Sequence, residues 1–173
     1  MRNLSRICPF IIALFAMTWA ILTVSAASAA EVVALGASNT YGQGVDREQA
    51  YPEQLQAMLA AHGQAVTVAN AGISGDTTGS MLARFDSVVG SDTRVLVLQP
   101  GGNDVDRAET IANVAQIKQK AVQHGIAVVM VPNLLLFRLP KQPDEMHLTP
   151  EGYRTVAQTL LPQVLQALRK RRK

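Results

Sequence analysis

With 173 residues, one cysteine and three histidines, the chain has room for one domain with a single core, but not for a disulfide framework or a cysteine-based zinc site. His62, His124 and His147 are not spaced like ligands of one metal, and no cofactor is implied. From Glu31 onward 14 Lys and Arg stand against 13 Asp and Glu, and five of the basic residues form the terminal run 169–173, so the basic balance is a local tail and not a nucleic-acid-binding face.

At the N-terminus Arg2 and Arg6 precede an apolar run from Pro9 to Val24, and small residues follow to Ala30. This is the pattern of a secretory signal peptide over residues 1–30, with Ala27-Ser28-Ala29 as the cleavage site. The run falls short of the roughly twenty residues a spanning helix needs, so no stable membrane insertion is expected once it is removed. Cys8 lies ahead of the apolar run, where a lipid-attachment cysteine would follow it. The expectation is an exported, periplasmic or secreted single domain over residues 31–173, free of cysteine. Its tail, 169–173, reads as a solvated helix end whose cations complement the C-terminal dipole.

Four short Val- and Leu-rich runs read as buried strands: Val32–Leu35, Ala65–Ala69, Arg94–Leu98 and Ile126–Val131. The first is followed by the Gly-flanked turn Gly36–Gly42 and a helical stripe through Tyr51, Leu55, Met58 and Leu59. After the second comes Asn70–Asp76, and after the third Gly101–Asp104 and a stripe through Ile111, Val114, Ile117 and Ala121. Leu134–Leu139 reads either as a fifth strand or as an apolar lip. The last stripe, Tyr153 to Leu168, spans four helical turns, with a kink or fresh start expected at Pro162. Alternating strands and helices imply an α/β fold: a flavodoxin-like three-layer α/β/α sandwich around a parallel sheet of four or five strands. Ligands of such sheets bind at the carboxyl ends of the strands, where the unusual polar residues fall.

Serine hydrolysis needs a base within reach of the hydroxyl, a group that orients the base, and donors for the oxyanion. Ser38 sits just past the first strand, although such a serine is more often a helix cap. His147 follows Asp144 by three residues, close enough for the carboxylate to fix the imidazole tautomer. A turn with a surface histidine is the plainer alternative. His62 and His124 precede Gly63 and Gly125, which marks them as helix C-terminal caps. Candidate oxyanion donors are the Gly72 N–H and the Asn103 side-chain amide. Each signal is weak alone, but all four segments belong to one edge of one sheet.

Gly36-Ala37-Ser38-Asn39, Gly72 within Asn70–Thr77, Gly102-Asn103-Asp104 and Asp144-x-x-His147 resemble the four blocks of the SGNH (GDSL-like) hydrolases, in particular their exported thioesterase and arylesterase branch. The resemblance spans about Val32 to Leu168. It implies Ser38 as nucleophile, His147 as base and Asp144 as its orienting partner. The Ser38 N–H, Gly72 N–H and Asn103 amide become the oxyanion donors, with Asp104 a structural neighbour. Two features depart from the family pattern. Ala37 and Asn39 stand where the family usually has Asp and Leu, and the lost carboxylate is expected to affect the turn more than the reaction. The connection Pro132–Pro143 is also far shorter than is usual, leaving little room for a further helix and strand.

The reading is a serine hydrolase of small acyl esters or thioesters, with short acyl chains the default for so compact a chain. Its rivals are an exported flavodoxin-like module that holds a small anionic ligand on strand-end loops, and an inactive SGNH relative. An α/β-hydrolase fits less well, because Gly36–Thr40 lacks the second glycine of its nucleophile turn.

Overall fold

The structure, a computed structural model, describes residues 30–169. The segment expected to be a signal peptide, but for Ala30, and most of the basic tail lie outside the described residues. Four parallel strands form one sheet: β1 (Val32–Gly36), β2 (Val68–Gly72), β3 (Val95–Gln99) and β4 (Ala127–Met130), in the order β2-β1-β3-β4. Because β2 lies on one side of β1 while β3 and β4 lie on the other, the chain reverses its winding between β1 and β3. A crevice opens at the carboxyl ends of strands at such a reversal.

Successive side chains of a strand point to opposite faces, and here both faces are apolar. Val32, Ala34, Val95 and Val97 enter one core with Tyr51, Leu55 and Leu59 of α2 (Tyr51–Ala61) and the stripe of α7 (Pro150–Arg169). Val33, Leu35, Leu96 and Leu98 enter the other. There they meet Met81 of α3 (Thr78–Ala83), Phe85 of α4 (Phe85–Val88), and Ile117 and Ala121 of α5 (Arg107–Gln123). The molecule is therefore a three-layer α/β/α sandwich.

Three sequence expectations need adjustment. The second strand starts three residues later than its apolar run, because Ala65 and Val66 precede the pairing of Val68 with Val32. No fifth strand forms from Leu134–Leu139, which instead lies largely in a helix, α6 (Asn133–Arg138). One face of α6 packs Leu135 and Leu136 on the α7 core while Leu134 and Phe137 stay exposed. The final helix runs unbroken through Pro162 without a fresh start. Val156, Leu160, Val164 and Leu168 are buried on both sides of the proline, and their packing offsets the lost backbone bond.

Among the described residues no helix is long and apolar enough to cross a membrane. Leu160→Ala should lower the unfolding free energy by about 2–5 kcal/mol, the cost of a core cavity. Phe137→Ser, on the exposed face of α6, should change it by less than about 0.5 kcal/mol. Urea denaturation of both variants checks the difference.

Candidate active site

The turn after β1 is built on a buried hydrogen-bond network. Gln99, at the end of β3, accepts at Oε1 from the Ala37 N–H and the Thr40 hydroxyl, both at 3.1 Å. Thr40 Oγ1 also lies 3.1 Å from the Tyr51 hydroxyl, and Thr40 and Tyr51 are fully buried. Burial pushes the Tyr51 phenol up, well above its ordinary value, so it remains a protonated partner. Ala37 becomes the N-cap residue of a single-turn helix, α1 (Ser38–Tyr41). Ser38 therefore stands at the first helical position. Its N–H points out of the helix end, with no partner among the described residues.

The segment after β2 is fixed from two sides. Arg84 donates through Nε and Nη2 to Asp76 Oδ2 at 2.9 and 2.7 Å. Nη2 also reaches Ala71 O at 2.8 Å and Gly36 O at 3.3 Å, which ties the ends of β1 and β2 together. The Gly72 N–H donates to Asn70 Oδ1 at 3.0 Å. Asn70 is held in that orientation because its Nδ2 donates to both Glu53 oxygens. The Gly72 Cα presses on α1, where an added Cβ would lie 2.1 Å from Tyr41 N. The tight turn that follows closes through Asp76 N–H to Ile73 O. The exposed Gly75 N–H has no partner among the described residues, which makes it a candidate donor that the sequence reading passed over. A second glycine in Asn70–Asp76 was the available signal.

Asn103 donates one amide hydrogen to Asp76 O at 2.8 Å, so the loops after β2 and β3 are joined. The space beside Gly101 is bounded by Ala37 Cβ, Asn103 Nδ2 and Asp76 O, which sets the Asn103 amide close to the turn that carries Ser38. Asp104 accepts from Thr78 N and, at 2.6 Å, from Thr78 Oγ1. Its carboxylate anchors the start of α3.

His147 and Asp144 meet directly: Nδ1 lies 2.6 Å from Asp144 Oδ2. Asp144 Oδ1 accepts from the Met146 and His147 N–H groups at 3.0 Å. These bonds to His147 and Met146 hold the carboxyl down at about 2, so it is ionised at neutral pH and fixes the proton on Nδ1. The loop closes on itself through Gln142 N–H to His147 O and Thr149 N–H to Pro140 O. Glu145 adopts a left-handed φ of 57° at the tip, a conformation non-glycine residues seldom take. Tyr153 of α7, its phenol raised by burial to about 12, donates to Asn39 Oδ1 at 3.3 Å and Gln43 O at 3.4 Å.

The structure thus joins Asp144 to His147, Asn103 to the 73–76 turn, and the His147 loop to the Ser38 turn. Between Ser38 Oγ and His147 it has no direct hydrogen bond among the described residues; such bonds often tighten only with substrate bound. A cleft of about 360 Å³ lies alongside, lined by Asn39, Gln99, Gly101, Leu136, Phe137 and Met146. His62 and His124 are C-terminal caps of α2 and α5. No group of three metal-ligating side chains occurs among the described residues. Gln99, Arg84 and Gln142 were missed by the sequence reading, since nothing local distinguishes a clamping amide or guanidinium from a surface one.

A family model described as GDSL-like lipase/acylhydrolase matches residues 34–157. The chain is 34% identical over 116 residues to the esterase TesA of Pseudomonas aeruginosa, covering 64% of this chain and 58% of the relative. It is 44% identical over 84 residues to an arylesterase of Vibrio mimicus, covering 47% and 42%. The chain therefore spans about half the length of the curated relatives it matches. A crystal structure of TesA superposes with a TM-score of 0.71 at 22% identity, over 79% of this chain and 98% of that one. The psychrotrophic esterase EstA from Pseudoalteromonas, inhibited by monoethylphosphonate, gives 0.69 at 16% identity, over 80% and 98%. At these identities the two structures speak for the fold.

Asp144 shows how pH should act on the loop. Its folded pKa lies below the ordinary value near 4, so the stability its charge contributes is present above about pH 4 and lost as pH falls through about 2. A ¹³C carboxyl titration of the folded protein should give a midpoint near 2 for Asp144. A midpoint near 4 would remove the hydrogen-bonded carboxylate from the site.

Proposed function

Because the chain belongs to the GDSL-like lipase/acylhydrolase family, we propose that it is a serine esterase cleaving carboxylic ester or thioester bonds of small acyl substrates through an acyl-enzyme intermediate. The observation that carries this reading is the 2.6 Å pair of His147 Nδ1 and Asp144 Oδ2, held on a loop hydrogen-bonded to the turn that bears Ser38.

With Nδ1–H committed to Asp144, the lone pair of His147 Nε2 is the base. It takes the proton of Ser38 Oγ as that oxygen attacks the carbonyl carbon. The carbonyl π pair moves onto oxygen, where the Ser38 N–H and the second amide hydrogen of Asn103 donate to it. A backbone N–H of the 72–75 turn supplies a third donor. Among the described residues the Gly75 N–H has no partner, whereas Gly72 would first have to release Asn70. Collapse of the intermediate expels the alcohol or thiol, which leaves with the proton from Nε2. Water, deprotonated by His147, then releases the acid and restores Ser38. Asp144 stays a carboxylate throughout, in keeping with its lowered pKa.

The modest cleft beside Asn39 suits short acyl groups. Export rests on the N-terminal pattern, which lies outside the described residues.

Residues 31–173 should hydrolyse p-nitrophenyl acetate and butyrate and take a fluorophosphonate label on Ser38, with Ser38→Ala losing both. Removing one oxyanion donor should cost about 10²–10³ in kcat. Asn103→Ala should therefore lower turnover by that factor. A folded protein without activity or label overturns the esterase reading, and an unchanged kcat in Asn103→Ala overturns the role of that amide.

A further inference from the structure

We propose that Gln142 is a positioning residue that sets the reach of His147 toward Ser38, an inference that rests on the esterase reading above. The two side chains belong to segments more than a hundred residues apart, with only the short connection 131–149 between β4 and α7 to carry the base. Alignment at this distance needs a tie between the segments.

That tie is a continuous hydrogen-bonded path. The Gln43 N–H donates to Ser38 O at 3.0 Å, and Gln43 O accepts from Gln142 Nε2 at 2.8 Å. The Gln142 backbone N–H then donates to His147 O at 2.8 Å. Nε2 also donates to Leu148 O at 2.7 Å, so the amide touches both the nucleophile turn and the residue after the base. The Gln142 carbonyl accepts from the Glu145 N–H at 3.0 Å, closing the turn that contains Asp144. On the opposite side the amide is backed by Gly44, whose φ is +80° and whose added Cβ would lie 2.2 Å from Gln142 Oε1. The positive φ favours glycine there, and a side chain at this position would have to displace the Gln142 amide. Gln142 itself is only partly buried, so its amide is not needed to fill a core.

Apart from Gln142, among the described residues α7 bonds to the Ser38 turn through Tyr153, at 3.3 and 3.4 Å. A misplacement of about 1 Å between base and nucleophile can cost about 100-fold in rate. Gln142→Met keeps the side-chain length but donates nothing. Gln142→Glu keeps the shape and, when ionised, sets a charge against two carbonyl oxygens.

The test compares kcat, KM, melting temperature and the rate of fluorophosphonate labelling of Ser38 in wild type, Gln142→Met and Gln142→Glu, each alone and combined with His147→Ala. Both substitutions should lower kcat and the labelling rate about 10- to 100-fold, with KM and melting temperature little changed. In the His147→Ala background they should have no further effect, because no base remains to be misplaced. An active wild type with unchanged kcat in both variants, or an equal loss with and without His147, overturns the positioning role and leaves the esterase reading standing. A folded wild type that neither hydrolyses ester nor takes the label overturns both.

Discussion

Gln99 sits at the carboxyl end of β3, between the two strands where the winding of the sheet reverses, and it is almost wholly buried. A buried amide oxygen without donors is costly, on the order of 1–3 kcal/mol. Here the donors come from Ala37 and Thr40 on the next strand's turn. The bond that satisfies Gln99 therefore also determines where α1 starts. Ser38 owes its place at the end of the helix, where its N–H has no partner among the described residues, to this constraint. The Ala37 side chain is itself buried, beside Gly101.

The remaining loops are joined to that turn by polar side chains with more than one partner. Arg84 binds Asp76 and the carbonyls of Gly36 and Ala71, so the ends of β1 and β2 and the following turn form one unit. Asn103 binds Asp76 O, and Asp104 anchors α3 through Thr78. No buried side-chain nitrogen or oxygen among the described residues lacks a partner. An edge of the sheet built this way presents fixed donors, and fixed donors need no reorganisation when charge develops on a substrate oxygen.

The short connection before His147 uses a different device. A single turn-and-a-half of helix, α6, packs Leu135 and Leu136 on the α7 core, and the chain then folds back as a loop closed by its own backbone. Leu148 is buried, and Gln142 and Tyr153 bind the turn that bears Ser38. His147 is thus held in place by polar clamps.

Much was legible in the sequence because it is governed by local rules. The continuous apolar runs Val32–Leu35 and Val95–Leu98 specified strands buried on both faces, and the stripe from Tyr153 to Leu168 specified the last helix. The spacing of Asp144 and His147 is short enough for one loop to join them. Leu134–Leu139 reads as a strand or an apolar lip, since six apolar-rich residues are too few for a helical period to show. The outcome depended on the α7 core surface available to Leu135 and Leu136. The start of β2 depended on its register with Val32, and the survival of α7 through Pro162 on packing to either side. The sequence by itself determined the layers, the strand-end positions of the polar loops and the Asp144–His147 pair, because periodicity and short-range spacing need no knowledge of the rest of the chain. Only the tertiary structure decided that Gln99, Arg84 and Gln142 bind those loops together. Those are bonds between residues far apart in the chain, and their partners exist only once the sheet has formed.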